Sequence, residues 1–254
     1  GELGEPAQIV RYGDSAEESR RLRLPCGGVL VVLVEHRAPS AEWLEHLQAL
    51  QAALLGQNRL VRHVDLGSGA LRLDPDASQG SERVHIVDER VRIHVGPVLR
   101  LILAGLSPVA EACAAFACAI GCEVIACDPR EEVGHIVLDG VEMQRVLPSL
   151  FIAAGGCHAA TAVVALTHDP RIDDLALMEA VRTPAFYIGA MGSQATSAKR
   201  AERLKRVGGL SDEQITRLHM PIGLDLGSKA PAEIALAVMA DVLRVYHGKA
   251  RHAL

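Results

Sequence analysis

Three loops in the second half of the chain gather the side chains able to do chemistry. Thr167-His168-Asp169-Pro170 sets an imidazole beside a carboxylate, the pairing used in acid–base work. Gly189-Ala190-Met191-Gly192-Ser193 leads into a helical segment bearing Lys199, Arg200 and Arg203. Glycines free backbone amides there, and the helix dipole favours a negative group. Pro221-Ile222-Gly223-Leu224-Asp225-Leu226-Gly227 is an irregular loop before the last helix, placed to wall a site. Each motif also has a plainer reading. Neighbours on an extended backbone point apart, so Thr167 or Asp169 serves equally well as a helix cap, and the basic residues equally well as a solvated face.

Two further stretches carry weaker signals. Gly105-Leu106-Ser107-Pro108-Val109-Ala110 stands where a dinucleotide fingerprint would, between a strand and a helix. Ser107 occupies the position at which glycine lets backbone approach a pyrophosphate, so Ser107-Pro108 reads best as an N-cap with proline at the first helical position. Asp128, at the end of the next strand, stands where a carboxylate grips a ribose diol. Cys26, beside Gly27 and Gly28, is the cysteine best placed for a nucleophile or soft ligand. The other five (Cys113, Cys118, Cys122, Cys127, Cys157) contain no Cys-x-x-Cys pair and read as buried small hydrophobes. No Gly-Lys-Ser/Thr follows a glycine loop, which excludes a Walker motif.

The elements that must hold these loops alternate. Val29–Val34 is a continuous apolar run, expected as a strand buried on both faces. Residues 40–55 repeat Trp43, Leu47, Leu50 and Leu54 at helical spacing. Residues 59–66 read as a strand, and 84–87 with 92–95 as a hairpin about Asp88-Glu89-Arg90. Gly96-Pro97 is the natural break, giving domains 1–96 and 97–254. Beyond it, strands at 98–104, 123–127, 163–167 and 185–190 alternate with helices at 108–120, 173–181, 193–207 and 231–246. A short strand is expected near 136–138 and a helix after Pro148. Alternating strands and helices imply an α/β, Rossmann-like doubly wound parallel sheet, here preceded by a smaller α+β domain.

Composition narrows the function. Of 254 residues, 49% are hydrophobic but 3% aromatic, so the core is aliphatic and a base-stacking surface is improbable. Twenty-six basic against 31 acidic residues give −5, which argues against a nucleic-acid partner. No apolar run reaches the ~18 residues of a membrane span, and no secretory signal is present, so a cytoplasmic protein is expected. Gly1 in place of Met suggests a processed or truncated product.

Taken together, LPCGGVLVVLVE, EVIACDPRE, TAVVALTHDPRIDDLALMEA, YIGAMGS and HMPIGLDLGSKAPAEIALAVMADV resemble the XdhC/CoxI family, accessory proteins in the maturation of molybdenum hydroxylases such as xanthine dehydrogenase. The resemblance runs from about Pro25 to Val242. It implies a small N-terminal domain and a Rossmann C-terminal domain. It also implies binding of the molybdenum cofactor (molybdopterin) as cargo, protection while a cysteine desulfurase supplies sulfur, and insertion into the partner hydroxylase. A homodimer follows by analogy alone. By the same resemblance Cys26 matches the family's Cys-Gly-Gly and is the possible metal or sulfur contact, while Asp128 and Arg130 match its Asp-Pro-Arg. Three departures stand out. A Ser-Gly-Gly-Cys stretch seen N-terminally in relatives is absent, which would weaken cofactor binding; Ser107 replaces a glycine; and Ala230 replaces a capping Thr, a loss of ~1 kcal/mol.

The expected cofactor-binding set is therefore Cys26, Gly105, Ser107, Asp128, Arg130, Thr167, His168, Asp169, Gly189, Gly192, Ser193, Gly223, Asp225 and Gly227, with no catalytic residue. Phosphate would rest at the helix start at Ser193 or Ser107. The alternative is an NAD(P)-dependent oxidoreductase using Gly105, Asp128 and Arg130, with His168 as proton donor. A third is an interaction module that keeps only the fold.

Overall fold

The protein is described by a computed structural model covering residues 7–22, 28–76, 84–227 and 229–250. Cys26 lies outside them. The chain divides into two compact units, one ending at Gly96 and the other comprising Pro97–Leu254.

In the first unit β1 (Ala7–Tyr12) and β2 (Leu30–Glu35) form an antiparallel ribbon with α1 (Ala16–Arg21) between them. α2 (Ala41–Leu54) starts at Ser40, whose Oγ accepts from the Trp43 amide at 3.0 Å. Four antiparallel strands follow, β3 (Leu60–Asp65), β4 (Leu71–Pro75), β5 (Val84–Val87) and β6 (Arg90–Val95), in the order β4-β3-β6-β5. Val87 faces Arg90, so the hairpin turns on Asp88 and Glu89 alone, and Asp88 takes φ +53°. Buried Arg62 on β3 pairs bidentately with Glu35 on β2 (2.6 and 2.9 Å) and donates Nε–H to His46 on α2 at 2.9 Å. One guanidinium thereby ties ribbon, helix and sheet.

The expectation for 29–34 needs correcting. β2 is not buried on both faces: Leu30, Val31 and Val34 are 47%, 38% and 41% exposed. In a two-stranded ribbon only one face can meet a core. Leu33, with Ile9, packs on Ala7, Val64 and Val91, while Leu30 and Val34 on the other face of the strand point away. A continuous apolar run does not distinguish these two situations.

The second unit is a six-stranded parallel sheet. In chain order it comprises β7 (Arg100–Ala104), α3 (Pro108–Ala119), β8 (Glu123–Cys127), β9 (Val141–Gln144), α4 (Pro148–Phe151), β10 (Thr161–Ala165), α5 (Pro170–Ala180), β11 (Tyr187–Ala190), α6 (Gln194–Arg206), α7 (Asp212–Thr216), β12 (Leu218–His219) and α8 (Pro231–Tyr246). The order β12-β11-β10-β7-β8-β9 is the doubly wound one, reversing between β7 and β10. Alternate side chains feed two cores. Leu101, Leu103, Val124, Ala126, Ala162 and Val164 pack under α3 and α8. Ile102, Ala104, Ile125, Val163, Ala165 and Ile188 pack under α5 and Leu204 of α6. Burial on both faces explains why these strands read as unbroken aliphatic runs.

Glu123–Cys127 and Pro231–Tyr246 fall where the sequence pattern puts them. Residues 136–138 do not form a strand; Ile136 and Leu138 lean on the α3 core, and the strand lies after Gly140 (φ +74°), at 141–144. α5 begins at Pro170 and not at Asp173, because Asp169 Oδ1 caps it by accepting from the Arg171 amide at 2.9 Å. β1, α1, β4, α7 and β12 had no distinct sequence signal.

Candidate functional site

The carboxyl ends of β7, β8, β10, β11 and β12 carry almost all the predicted site residues, but they assemble as two groups. The first is an internal lock. Gly105 follows β7 with φ +84°, and a Cβ there would stand 2.2 Å from Thr167 Cγ2 and 3.6 Å from Asp128 Oδ2, so only glycine lets these two loops close up. Asp128 is 2% exposed. Its Oδ2 accepts from the Leu106 amide (2.7 Å) and Arg130 Nη2 (2.6 Å), and its Oδ1 from the Arg130 amide and Nε (both 3.0 Å). Arg130 Nη2 also donates to the Leu106 carbonyl at 2.8 Å. Burial raises the Asp128 pKa, yet the Arg130 guanidinium and the two amides outweigh it and hold the carboxyl below its usual range.

With its acceptor positions taken by Leu106 and Arg130, Asp128 offers no grip for a ribose diol. Ser107 spends its Oγ on the Ala110 amide at 3.1 Å, the N-cap that its sequence context suggested. The geometry thus gives Gly105, Ser107, Asp128, Arg130 and Thr167 a positioning role, and nothing in it favours a nicotinamide cofactor.

The second group lines a cleft of about 770 Å³, within the range of small-molecule sites. It brings together His168, Gly192, Ser193, Gly223, Asp225 and Gly227, with Met191, Gln194, Pro221, Ile222, Leu224 and Leu226 from the same loops and Ile234 and Ala237 from α8. Gly189 lies beneath it: a Cβ there would meet Ile222 at 2.6 Å, so glycine on β11 makes the seat for the loop. That loop is pinned at two points. The Ile222 amide donates to the Ala190 carbonyl and the Leu224 amide to the Ala237 carbonyl, each at 3.1 Å. A Cβ at Gly223 (φ +86°) would stand 3.1 Å from the α8 backbone at Ala237 and Val238. Asp169 is not on the cleft wall; it caps α5 and pairs with Arg171 at 2.8 Å, whose hydrogen bonds draw its pKa down to about 2.

His168 takes φ +64°, a conformation uncommon for non-glycine residues. It is held by Asp173, which has no solvent exposure and accepts from the His168 amide (3.0 Å), Thr167 Oγ1 (2.6 Å) and Arg200 Nη2 (3.1 Å). Burial keeps the Asp173 pKa above the ordinary carboxylate value despite those donors. Arg200, 3% exposed, also donates Nη1–H to the Met191 carbonyl at 3.2 Å. Arg203 is committed to Asp174 at 2.5 Å, so of the three bases Lys199 alone is a solvated surface group.

Sequence reasoning missed Asp173 and Ser197, and named Arg200 only among the bases of the helix after the glycine loop. Their signal was available: Ser197, Arg200 and Leu204 recur at spacings of three and four, and all three are buried. At Ser193 the Oγ accepts from the Thr196 amide at 3.2 Å. One turn on, Ser197 Oγ is buried and has no hydrogen-bond partner among the described residues. It stands 3.6 Å from where a Gly192 Cβ would be.

Among the described residues, no group of three or more His, Cys, Asp or Glu side chains is placed to hold a metal ion. Burial pushes the thiols of Cys113 and Cys127 up to about 12 and that of Cys122 to about 11, so they are poor soft ligands. No described helix is long and apolar enough to cross a membrane.

Residues 101–242 match the XdhC Rossmann domain family. The chain belongs to that family. It is also 29% identical over 243 residues to the molybdenum cofactor insertion chaperone PaoD of Escherichia coli (strain K12), covering 93% of this chain and 65% of PaoD. The chain thus spans slightly under two thirds of that relative's length. A shorter stretch of 73 residues is 34% identical to the uncharacterized protein YqeB of the same organism, covering 29% of this chain and 13% of YqeB. A crystal structure described as a xanthine dehydrogenase from Bacillus halodurans superposes with a TM-score of 0.61 at 19% identity, covering 98% of this chain and 77% of that one. At that identity it speaks for the fold alone.

Proposed function

We propose that this XdhC-family chain binds the molybdenum cofactor as cargo in the 770 Å³ cleft and hands it to a xanthine dehydrogenase-type hydroxylase. Membership of the family and similarity to an insertion chaperone support the role. The observation that carries the site is Ser197 Oγ, buried and unpartnered beside Gly192 at the amino end of the 13-residue helix α6. Ser197 lies behind the cleft wall, so a phosphate drawn to the uncapped amides of the first turn would reach that hydroxyl past Gly192, where no Cβ stands. The apolar walls from Met191, Ile222, Leu224 and Ile234 cover the rest of the cargo and exclude water.

This is retention and release, so no side chain need move a bond. Sulfuration by a cysteine desulfurase then takes place on the held cofactor. Burial pushes the Cys113, Cys122 and Cys127 thiols up, which suits these three poorly to carrying the sulfur.

The test is anaerobic equilibrium binding of purified molybdenum cofactor, with metal and pterin assayed after ultrafiltration. Stoichiometric binding in the micromolar range, lost in Gly192→Val while the thermal midpoint is kept, supports the reading. Equal retention by Gly192→Val, or no binding by the parent chain, overturns it.

A further inference from the structure

The polar groups of the cleft wall come from three places, His168 after β10, the amino end of α6 and Asp225. Gly192, Ser193 and Gln194 at the amino end of α6 are a source of N–H donors with partial positive charge. In the loop after β12 lies Asp225; among the described residues it is the one carboxylate on the wall, and no described Lys or Arg side chain lines the cleft. Asp225 Oδ1 accepts from the Gly227 amide at 3.2 Å, which fixes the carboxylate on its loop. Its Oδ2 has no hydrogen-bond partner among the described residues. Apart from His168 and Met191 the remaining side chains of the wall are aliphatic. A ligand matching this cleft carries an anionic group for the α6 amides, N–H donors for Asp225 and apolar surface for the rest.

We infer that Asp225 reads the 2-amino-4-oxopyrimidine edge of the pterin, accepting from its ring N–H and exocyclic amino group, and so sets the direction in which the cargo lies. The inference rests on the proposed function. A carboxylate matches that edge because two adjacent donors meet two acceptor oxygens. A 2,4-dioxo ring turns one donor into an acceptor and sets oxygen against oxygen. Guanine carries the same edge, so a guanine nucleotide is the competitor from which the pterin must be told apart.

The probes are 6-hydroxymethylpterin phosphate and its lumazine counterpart, titrated by their own fluorescence at pH 6.5, with GMP and IMP as a second pair. The parent chain should bind the pterin about ten-fold more tightly than the lumazine. Asp225→Asn, an exposed position where folding is checked by thermal melt, should lose that preference, because an amide offers one donor and one acceptor. Equal binding of the two pteridines by the parent, binding of neither, or an unchanged preference in Asp225→Asn overturns the inference. Tighter binding of GMP than of the pterin phosphate overturns the pterin assignment. Retention of molybdenum cofactor is measured alongside on both proteins. Retention without discrimination defeats the Asp225 role and leaves the carrier reading standing, whereas no retention by the parent defeats the carrier reading itself.

Discussion

Arg200 Nη2 lies 3.1 Å from Asp173 Oδ2, and both side chains are at least 96% buried. The same guanidinium holds the Met191 carbonyl, and the same carboxylate holds the Thr167 and His168 amides. Arg200 Nε also lies 3.2 Å from Asp174 Oδ1, so one guanidinium shared between two carboxylates sets the loops after β10 and β11, which form much of the cleft. Removing one partner strands a buried charge. Arg200→Met should lower stability by about 3–5 kcal/mol, a drop of about 10 °C in thermal midpoint. Adding Asp173→Asn should return part of the loss, because the amide carries no charge. A single variant that melts with the parent would show that the pair is not coupled to folding.

Gly105 and Thr167 provide a second test. Gly105→Ala combines positive φ with a Cβ 2.2 Å from Thr167 Cγ2, and should cost at least about 2 kcal/mol. Thr167→Ser removes that methyl while keeping the hydroxyl bonded to Asp173. In a double-mutant cycle measured by denaturant unfolding, Thr167→Ser should recover part of the loss; strict additivity would rule out the clash.

Asp128 and Asp173 should push the pH dependence of stability in opposite directions. Asp128 titrates lower folded than unfolded, so its contribution is present above the unfolded pKa near 3.8 and is lost as pH falls through the folded value. Asp173 titrates higher folded, so the folded state takes up the proton first and stability gains as pH falls through that window. Unfolding measured from about pH 5 to about pH 3 should lose less stability on acidification in Asp128→Asn and more in Asp173→Asn, relative to the parent.

α8 starts at Ala230, which makes no side-chain cap. Ala230→Ser supplies an acceptor for the first turn and should add about 1 kcal/mol, seen as a rise of about 2–4 °C in midpoint. No rise would mean that solvent already satisfies those amides equally well.

Burial of two thiols predicts their reactivity. Cys113 and Cys127, held up to about 12, should resist alkylation at pH 8 in the native chain and react on unfolding. Labelling followed by peptide mass mapping reads this directly.

The parallel sheet was legible because its strands are buried on both faces and its helices start with proline or a capping hydroxyl: Pro108, Pro170 and Pro231 each sit in the first turn. The glycine loops were legible for the same local reasons, since Gly105 and Gly223 require positive φ. What escaped were pairings made across the sequence. Asp173 meets Arg200 27 positions away, and Leu106 meets Asp128 22 positions away. Spacing along one helix marks such residues as inward-facing but does not name their partners. The exposed ribbon strand β2 escaped for a different reason: its apolar run carries no record of how many layers surround it.

The Asp128–Arg130 pair has one more consequence. Together the two side chains consume both the N–H and the C=O of Leu106, backbone groups that in a doubly wound sheet would otherwise face a guest. The chain acts there as its own resident ligand. A diffusing competitor would have to displace Arg130 from a buried carboxylate before touching that backbone, so the crossover between β7 and β10 is closed by self-occupancy, and the open cleft lies one strand further along, beside α6.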